Sequence, residues 1–200
     1  VKRPGDQPPP RRRNPADAEL PASLAGHLLL SNPALTDENF HRTVVLISQH
    51  STAEGALGVI LNRPLGRVLG DEAEPFTYTV LADIPLYLGG PVAPQQVILA
   101  AWQASDDGRH FQLYFGIAEE KVVELRQAEP RPEMRAFLGY AGWSAGQLED
   151  ELEAEAWLAV PIDTGLLETH DGVDLWKALL TRASPEWRFL AEAPEDPELN

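Results

Sequence analysis

Residues 43–64 read TVVLISQHSTAEGALGVILNRP. Two runs rich in β-branched and aliphatic side chains, TVVLISQH and GALGVILN, are separated by Ser51-Thr52-Ala53-Glu54, a link of hairpin length. Such a pattern predicts two neighbouring antiparallel strands. Pro64 has no N–H to give to a ladder, so it closes the second strand and leaves Asn62 and Arg63 at a strand end. Outward from this hairpin the same texture recurs in HLLLS before it and in PLYLGGPV, QVILAAW, FQLYFGI and MRAFLGYAGW after it, with SDDGR as the turn between QVILAAW and FQLYFGI.

Helical patterns come mostly later. They are a short one over Glu119 to Gln127, SAGQLEDELEAE, DLWKALLTRA, and a last one opened by Ser184-Pro185-Glu186, where serine as cap and proline in the first turn form a start signal. Strands first and helices afterwards predict a single α+β domain over 21–200 with a mostly antiparallel sheet and a helical C-terminal part. Residues 1–20, VKRPGDQPPPRRRNPADAEL, are rich in proline and charge and poor in apolar groups. Such a composition cannot offset the entropy of ordering, and a disordered arm is expected there.

The chain has 200 residues, 44% of them hydrophobic, enough for one buried core. It contains no cysteine, which excludes disulfides, thiol catalysis and thiolate zinc sites. No apolar run approaches the roughly 20 residues of a membrane span and no signal-peptide pattern is seen, so a cytoplasmic protein with no membrane contact is expected. The formal charge is −15. Residues 1–19 hold 5 of the 16 basic and 3 of the 31 acidic side chains, so 20–200 hold 11 against 28, a formal −17. An acidic body meets repulsion where duplex DNA supplies non-specific affinity, so direct duplex binding by the body is not expected.

Gly142-Trp143-Ser144-Ala145-Gly146 spells G-x-S-x-G, the nucleophile elbow, between a strand and a helix. The order Ser144, Asp163, His170 also matches the α/β-hydrolase order. Against a serine hydrolase stand the missing strand and helix alternation and the lack of an oxyanion element beyond Gly89-Gly90-Pro91. A structural role accounts for the same residues. Ser144 and Gln147 have capping-box spacing, and Trp143 and Leu148 are placed as a hydrophobic staple, with Leu148 and Leu152 one turn apart. The cap is the preferred reading and the hydrolase the alternative.

His41 and His50 are nine residues apart, an odd offset that puts them on opposite faces of an extended strand, and Asp37 in TDENF reads as a turn or helix cap before it reads, with Glu38, as an oxygen ligand. No metal site is expected. His110 and His170 are read as loop residues. Neither a P-loop nor G-x-G-x-x-G occurs, and no cofactor is called for. Three elements remain that could gather into a small electropositive recess for an anion: Asn62-Arg63-Pro64, Gly89-Gly90-Pro91, and the entry Gly142 to Gln147. The recess would be built from Asn62, Arg63, Gly89, Gly90, Trp143, Ser144 and Gln147. The plainer alternatives are that Arg63 pairs with a carboxylate and that Asn62 stabilises its turn.

GHLLLSNPALTDENFHRTVVLISQH, GALGVILNRP, LGGPV, GYAGWSAGQLEDELEAEAWL and APEDPELN, in this order, resemble the YqgE/AlgH family of bacterial proteins from about Leu24 onward. The resemblance implies an α+β fold with a curled, mostly antiparallel sheet flanked by helices. It does not imply a chemistry. One branch of the family is labelled a transcriptional regulator of alginate production. In the family pattern the slot of Ser144 often holds glycine, which lowers the hydrolase reading. VILAAWQ departs from the aromatic-leucine-histidine run of many relatives. Together these observations point to a non-enzymatic cytoplasmic binding or regulatory protein acting through a protein or a small anionic ligand.

Overall fold

The hairpin is present as expected: β2 (Val44–Ser51) pairs antiparallel with β3 (Gly55–Ile60). The register shifts by one residue between Ile47 and Gln49, and the Ser48 hydroxyl donates to the Leu57 carbonyl beside the shift, 3.0 Å. The computed structural model describes residues 21–72, 74–104 and 111–192. The arm over 1–20, the SDDGR turn, His110 and the closing APEDPELN lie largely or wholly outside these residues.

Around the hairpin a nine-stranded sheet is built from β1 (His27–Ser31), β4 (Pro64–Val68), β5 (Pro85–Leu88), β6 (Val92–Ala104), β7 (Phe111–Phe115), β8 (Glu133–Trp143) and β9 (Trp157–Pro161). The path runs β4-β5-β8-β3-β2-β1-β9, with β6 on β8 and β7 on β6. All pairings are antiparallel except β5 with β8. Strand β8 joins two limbs. Its first part pairs with β5 and β6, and its last three residues, Ala141 to Trp143, pair with β3.

The change of neighbours happens at Gly139, which has φ +68. There the chain of β8 crosses the Gly89-Gly90 segment so tightly that a Cβ on Gly139 would lie 2.4 Å from the Gly90 carbonyl oxygen. A Cβ on Gly90 would lie 2.3 Å from Tyr140 backbone, and one on Gly89 2.3 Å from the Gly139 oxygen. Only glycine lets two backbones approach this closely.

Val44, Val45, Leu46 and Ile47 form an uninterrupted apolar run because both faces of β2 are covered. Val44 and Leu46 join Leu28, Leu30, Val59 and Leu61 beneath α5 (Thr164–Thr169), α6 (Gly172–Ala183) and α7 (Pro185–Ala191), whose Leu175, Trp176 and Leu179 complete the cluster. Val45 and Ile47 join Trp143, Trp157 and Leu148 of α4 (Gln147–Glu153) on the other face. A third cluster, with Leu69, Leu86 and Val122, packs α1 (Leu69–Glu72) and α3 (Glu119–Leu125) on the second limb, near α2 (Glu74–Thr77). The start signal at Ser184 holds: its hydroxyl accepts from the Trp187 N–H with Pro185 in the first turn.

Strands β4 and β9 and helices α1, α2 and α5 were not expected from the sequence. The hairpin strand ends at Ile60, ahead of Pro64, and Pro64 instead opens the short edge strand β4, paired with Tyr87. Its exposed residues and its register shift between Pro64 and Val68 carry no apolar pattern to read.

Candidate functional site

The start of β2 and the end of β3 lie side by side, so His41 and Arg42 come next to Asn62 and Arg63. Asn62 is 2% exposed and fully engaged. Its Oδ1 accepts from the Val44 N–H at 2.8 Å, and its Nδ2 donates to the carbonyls of Arg42 and Gly172, each at 2.9 Å. Both amide protons are used inside the protein, so Asn62 stitches β2, β3 and the first turn of α6 together and has no donor left for a ligand.

The Arg42 carbonyl belongs to a non-glycine residue with φ 54, a conformation costing roughly 1–2 kcal/mol that Asn62 helps to hold. The Arg42 guanidinium lies 5.7 Å from the centre of the Trp176 ring. Arg63 Nη2 donates to the His41 carbonyl at 2.7 Å. His41 Nδ1 in turn donates to the Leu35 carbonyl at 2.7 Å, which leaves Nε2 as the nitrogen able to meet a ligand.

These residues open on a cleft of about 430 Å³ lined by His41, Arg42, Asn62, Arg63 and Pro64, by Leu65 and Leu88, and by Gly172 and Val173 at the start of α6. Below it, Asp171 caps α6 by accepting from the Gly172 N–H at 2.7 Å, and its other oxygen accepts from the Tyr87 hydroxyl at 3.1 Å. The helix end is therefore fixed from the sheet, and that amide is taken. Burial pushes the Tyr87 phenol up to about 12, with Arg135 working against the shift and Asp171 adding to it. Arg135 is itself buried, 4.5 Å from the Tyr87 ring centre and 5.1 Å from that of Trp102, and donates to the Leu61 carbonyl.

Arg67, Lys121, Arg126, Arg135, Arg182 and Arg188 each have a carboxylate oxygen within 4 Å. Arg63 has none among the described residues. Its one side-chain bond goes to a carbonyl, which leaves most of its donors and its full charge facing the cleft.

Of the elements expected to form a recess, the structure gathers two. The Arg63 carbonyl accepts from the Leu88 N–H at 2.9 Å and the Gly89 carbonyl accepts from the Ile60 N–H at 2.8 Å, so Gly89 and Gly90 run beside the strand end. Their role is the crossing with Gly139, and Leu88 is the residue of that segment that faces the cleft. The third element does not arrive. Trp143 pairs with Ala56 at the other end of β3, six residues from Asn62, roughly 20 Å at strand rise.

At that far end Trp143 is buried, and its indole N–H and that of Trp157 both donate to Glu151 Oε2, at 2.8 and 2.7 Å. Gln147 reaches back to the Ser144 N–H at 3.0 Å, as a capping box requires, but the helix cap is Gly146 at φ 77. The Ser144 hydroxyl donates to Gln147 Oε1 at 3.1 Å instead of accepting from the first turn, so only half of the expected box is formed. Trp143 and Leu148 share one cluster, as the staple requires.

The hydrolase constellation is not supported. The Asp163 carboxylate caps α5 through the Leu166 N–H and pairs with Arg182, while His170 Nδ1 meets Thr169 Oγ1. Neither approaches the serine by a hydrogen bond. His41 and His50 stand at opposite ends of β2. His50 Nδ1 accepts from the Leu24 N–H and its Nε2 donates to Glu149 Oε1, both at 3.0 Å. Burial works against the Glu149 charge, but hydrogen bonds from its own backbone, Thr52 and His50 outweigh it and hold its pKa below the ordinary carboxylate value. Asp37 Oδ1 accepts from Asn39 and Phe40, as its turn role requires.

Sequence reasoning placed Asn62 and Arg63 but missed His41 as a cleft residue, and it missed Arg42, Leu65, Leu88, Gly172 and Val173. The hairpin register carried a signal for the first two. Val45 faces Ile60, so counting back along β2 and forward along β3 brings Arg42 level with Arg63. Gly172 and Val173 arrive through helix packing, for which no local signal exists.

The AlgH-like family model, DUF179, matches residues 28–188. A UPF0301 protein of Thermobifida fusca is 34% identical over 190 residues, covering 89% of this chain and 96% of that one. One of Streptomyces avermitilis is 36% identical over 187 residues, covering 90% and 96%. Among solved structures, the solution structure of AlgH from Pseudomonas aeruginosa has 30% identity and a TM-score of 0.60, covering 89% of this chain and 98% of that one. A crystal structure of a Corynebacterium diphtheriae protein has 26% identity and a TM-score of 0.65, covering 88% and 94%. A family model that spans most of the chain, and relatives more than 30% identical along nearly their whole length, show that the chain belongs to the AlgH-like family.

Proposed function

We propose that the protein is a non-enzymatic binding protein that takes a small anionic ligand in the cleft between β2, β3 and α6. The observation that carries this reading is Arg63. On a body of formal charge −17 (11 basic against 28 acidic side chains in 20–200), a guanidinium without a carboxylate partner among the described residues lines a concave site and is held in place by the His41 carbonyl. A cation that no described carboxylate neutralises can pair with a carboxylate or phosphate, which an arginine fork binds through two parallel bonds. The preorganised surroundings support it: Asn62, the Asp171 cap and the Tyr87 hydroxyl fix the walls before any ligand arrives.

A regulatory role of the kind attached to one branch of the family would then run through ligand-dependent contact with another protein rather than through duplex DNA. A cytoplasmic setting is in keeping with a cysteine-free chain in which no described helix is long and apolar enough to cross a membrane.

Isothermal titration of the full chain with inorganic phosphate and with acetate tests the reading. Binding that Arg63→Gln abolishes, with unchanged unfolding behaviour, is the expected result. Equal heats from both proteins would refute it.

A further inference from the structure

Three of the described large aliphatic side chains that remain exposed meet at this one cleft. Leu65 comes from β4, Leu88 from β5 and Val173 from α6, and they are 37%, 40% and 40% exposed. Single exposed aliphatics are ordinary on a protein surface, but three brought together from separate elements mark a place where apolar matter is expected. Pro64 adds its ring to the same wall. The same cleft is lined by Arg63, which is held by the His41 carbonyl and has no carboxylate within 4 Å among the described residues.

We infer that the cleft binds an amphiphilic acid, its carboxylate or phosphate headgroup on Arg63 and a short alkyl or aryl tail laid across Leu65, Leu88 and Val173. This deepens the anion-binding reading and rests on it. Charge complementarity fixes the head and the apolar wall fixes the tail. The volume of about 430 Å³ lies toward the small end of the range for ligand pockets, roughly 300–1,000 Å³, which suits a molecule of this size better than a folded partner.

Edge pairing by an extended peptide is disfavoured at the same place. Pro64 has no N–H to offer, and Gly66 at φ +68 breaks the extended course of β4.

The test is a titration series on the full chain: acetate, butanoate, hexanoate and octanoate, the matching alkyl phosphates, and 1-octanol as the neutral control. Each is repeated on Arg63→Gln and Val173→Ser, the latter a change at an exposed position. The expected result is a fall in Kd of about two- to fourfold per methylene up to about six carbons, as partly buried CH₂ groups give. Val173→Ser should flatten that slope while leaving acetate and inorganic phosphate unchanged, and Arg63→Gln should remove binding of every acid. The series that binds more tightly identifies the headgroup.

Arg63-dependent binding with no dependence on chain length overturns the amphiphile and leaves the anion site standing. No Arg63-dependent binding of any acid overturns both. Octanol bound as tightly as octanoate overturns the role given to charge.

Discussion

Gly139 and Gly90 pass each other so closely that the Gly90 carbonyl oxygen lies 2.4 Å from where a Gly139 Cβ would stand. Gly139 also has φ +68, so alanine there meets both a strained left-handed backbone and a wall of backbone atoms that cannot rotate away. Gly139→Ala is expected to destabilise by about 3 kcal/mol or more, the sum of strain and overpacking. Gly146, at φ +77 with open space around it, carries only the first penalty, so Gly146→Ala should cost about 1–2 kcal/mol. Urea unfolding of the two variants checks the ordering, and equal losses would show that the crossing is not tight.

Asn62→Ala leaves the Val44 N–H and the Arg42 and Gly172 carbonyls without their side-chain partner in a buried place. The expected loss is about 2–4 kcal/mol. Asn62→Asp should restore little, because a carboxylate would face the two carbonyls that the amide now donates to. A change below about 0.5 kcal/mol in either variant would mean that the stitch is dispensable.

Ser144→Ala removes one exposed hydrogen bond to Gln147 and leaves the reach-back to its own N–H intact. A loss below about 1 kcal/mol is expected. No fluorophosphonate labelling of the native protein should appear by mass spectrometry. Labelling that disappears in the variant would revive the hydrolase.

Tyr87 supplies a pH dependence whose sign follows from burial. Its folded value of about 12 lies above the unfolded value near 10, so the contribution is whole below pH 10 and is lost as pH rises from there toward 12. Tyr87→Phe should remove that part of the alkaline loss, and absorbance near 295 nm should show one phenol ionising late. At the acid end the sign reverses. The Glu149 pKa lies below its ordinary 4.5, so its contribution is present above that pH and is lost as pH falls below it, and Glu149→Gln should flatten the acid limb.

The body over 20–200, with its 11 basic and 28 acidic side chains, should show no submicromolar affinity for an arbitrary duplex at physiological salt in fluorescence anisotropy. Tight binding by the truncated protein would mean that a local cationic surface dominates the overall repulsion.

The hairpin was readable because strand texture and turn composition both act within about twenty residues, and the same locality holds for the Ser184 helix start. The pairing of β8 with β3 and β5 was not readable, since no local pattern specifies partners 85 and 50 residues away, as Leu57 with Gly142 and Tyr87 with Phe137 are. The site divides in the same manner. Arg63 was visible as a cation at a strand end, whereas Val173 reaches the cleft only because Trp176 and Leu175 dock α6 on the sheet. Trp143 to Gln147 misled because a glycine-rich helix entry suits an anion and suits a bend equally well. Two indole N–H groups on Glu151 decide for packing.

The position of β8 as the strand common to both limbs governs the order of events during synthesis. Leu57 waits for Gly142, a separation of 85 residues, before β3 gains its second neighbour, and His27 waits still longer for Pro161. At roughly 5–20 residues per second the ribosome needs about 4–17 s to supply that span. Through this interval the β2–β3 hairpin has one open edge and two apolar faces. A nascent chain arrested before residue 133 should therefore bind chaperones and remain protease-sensitive, and protection should set in cooperatively once β8 has left the exit tunnel.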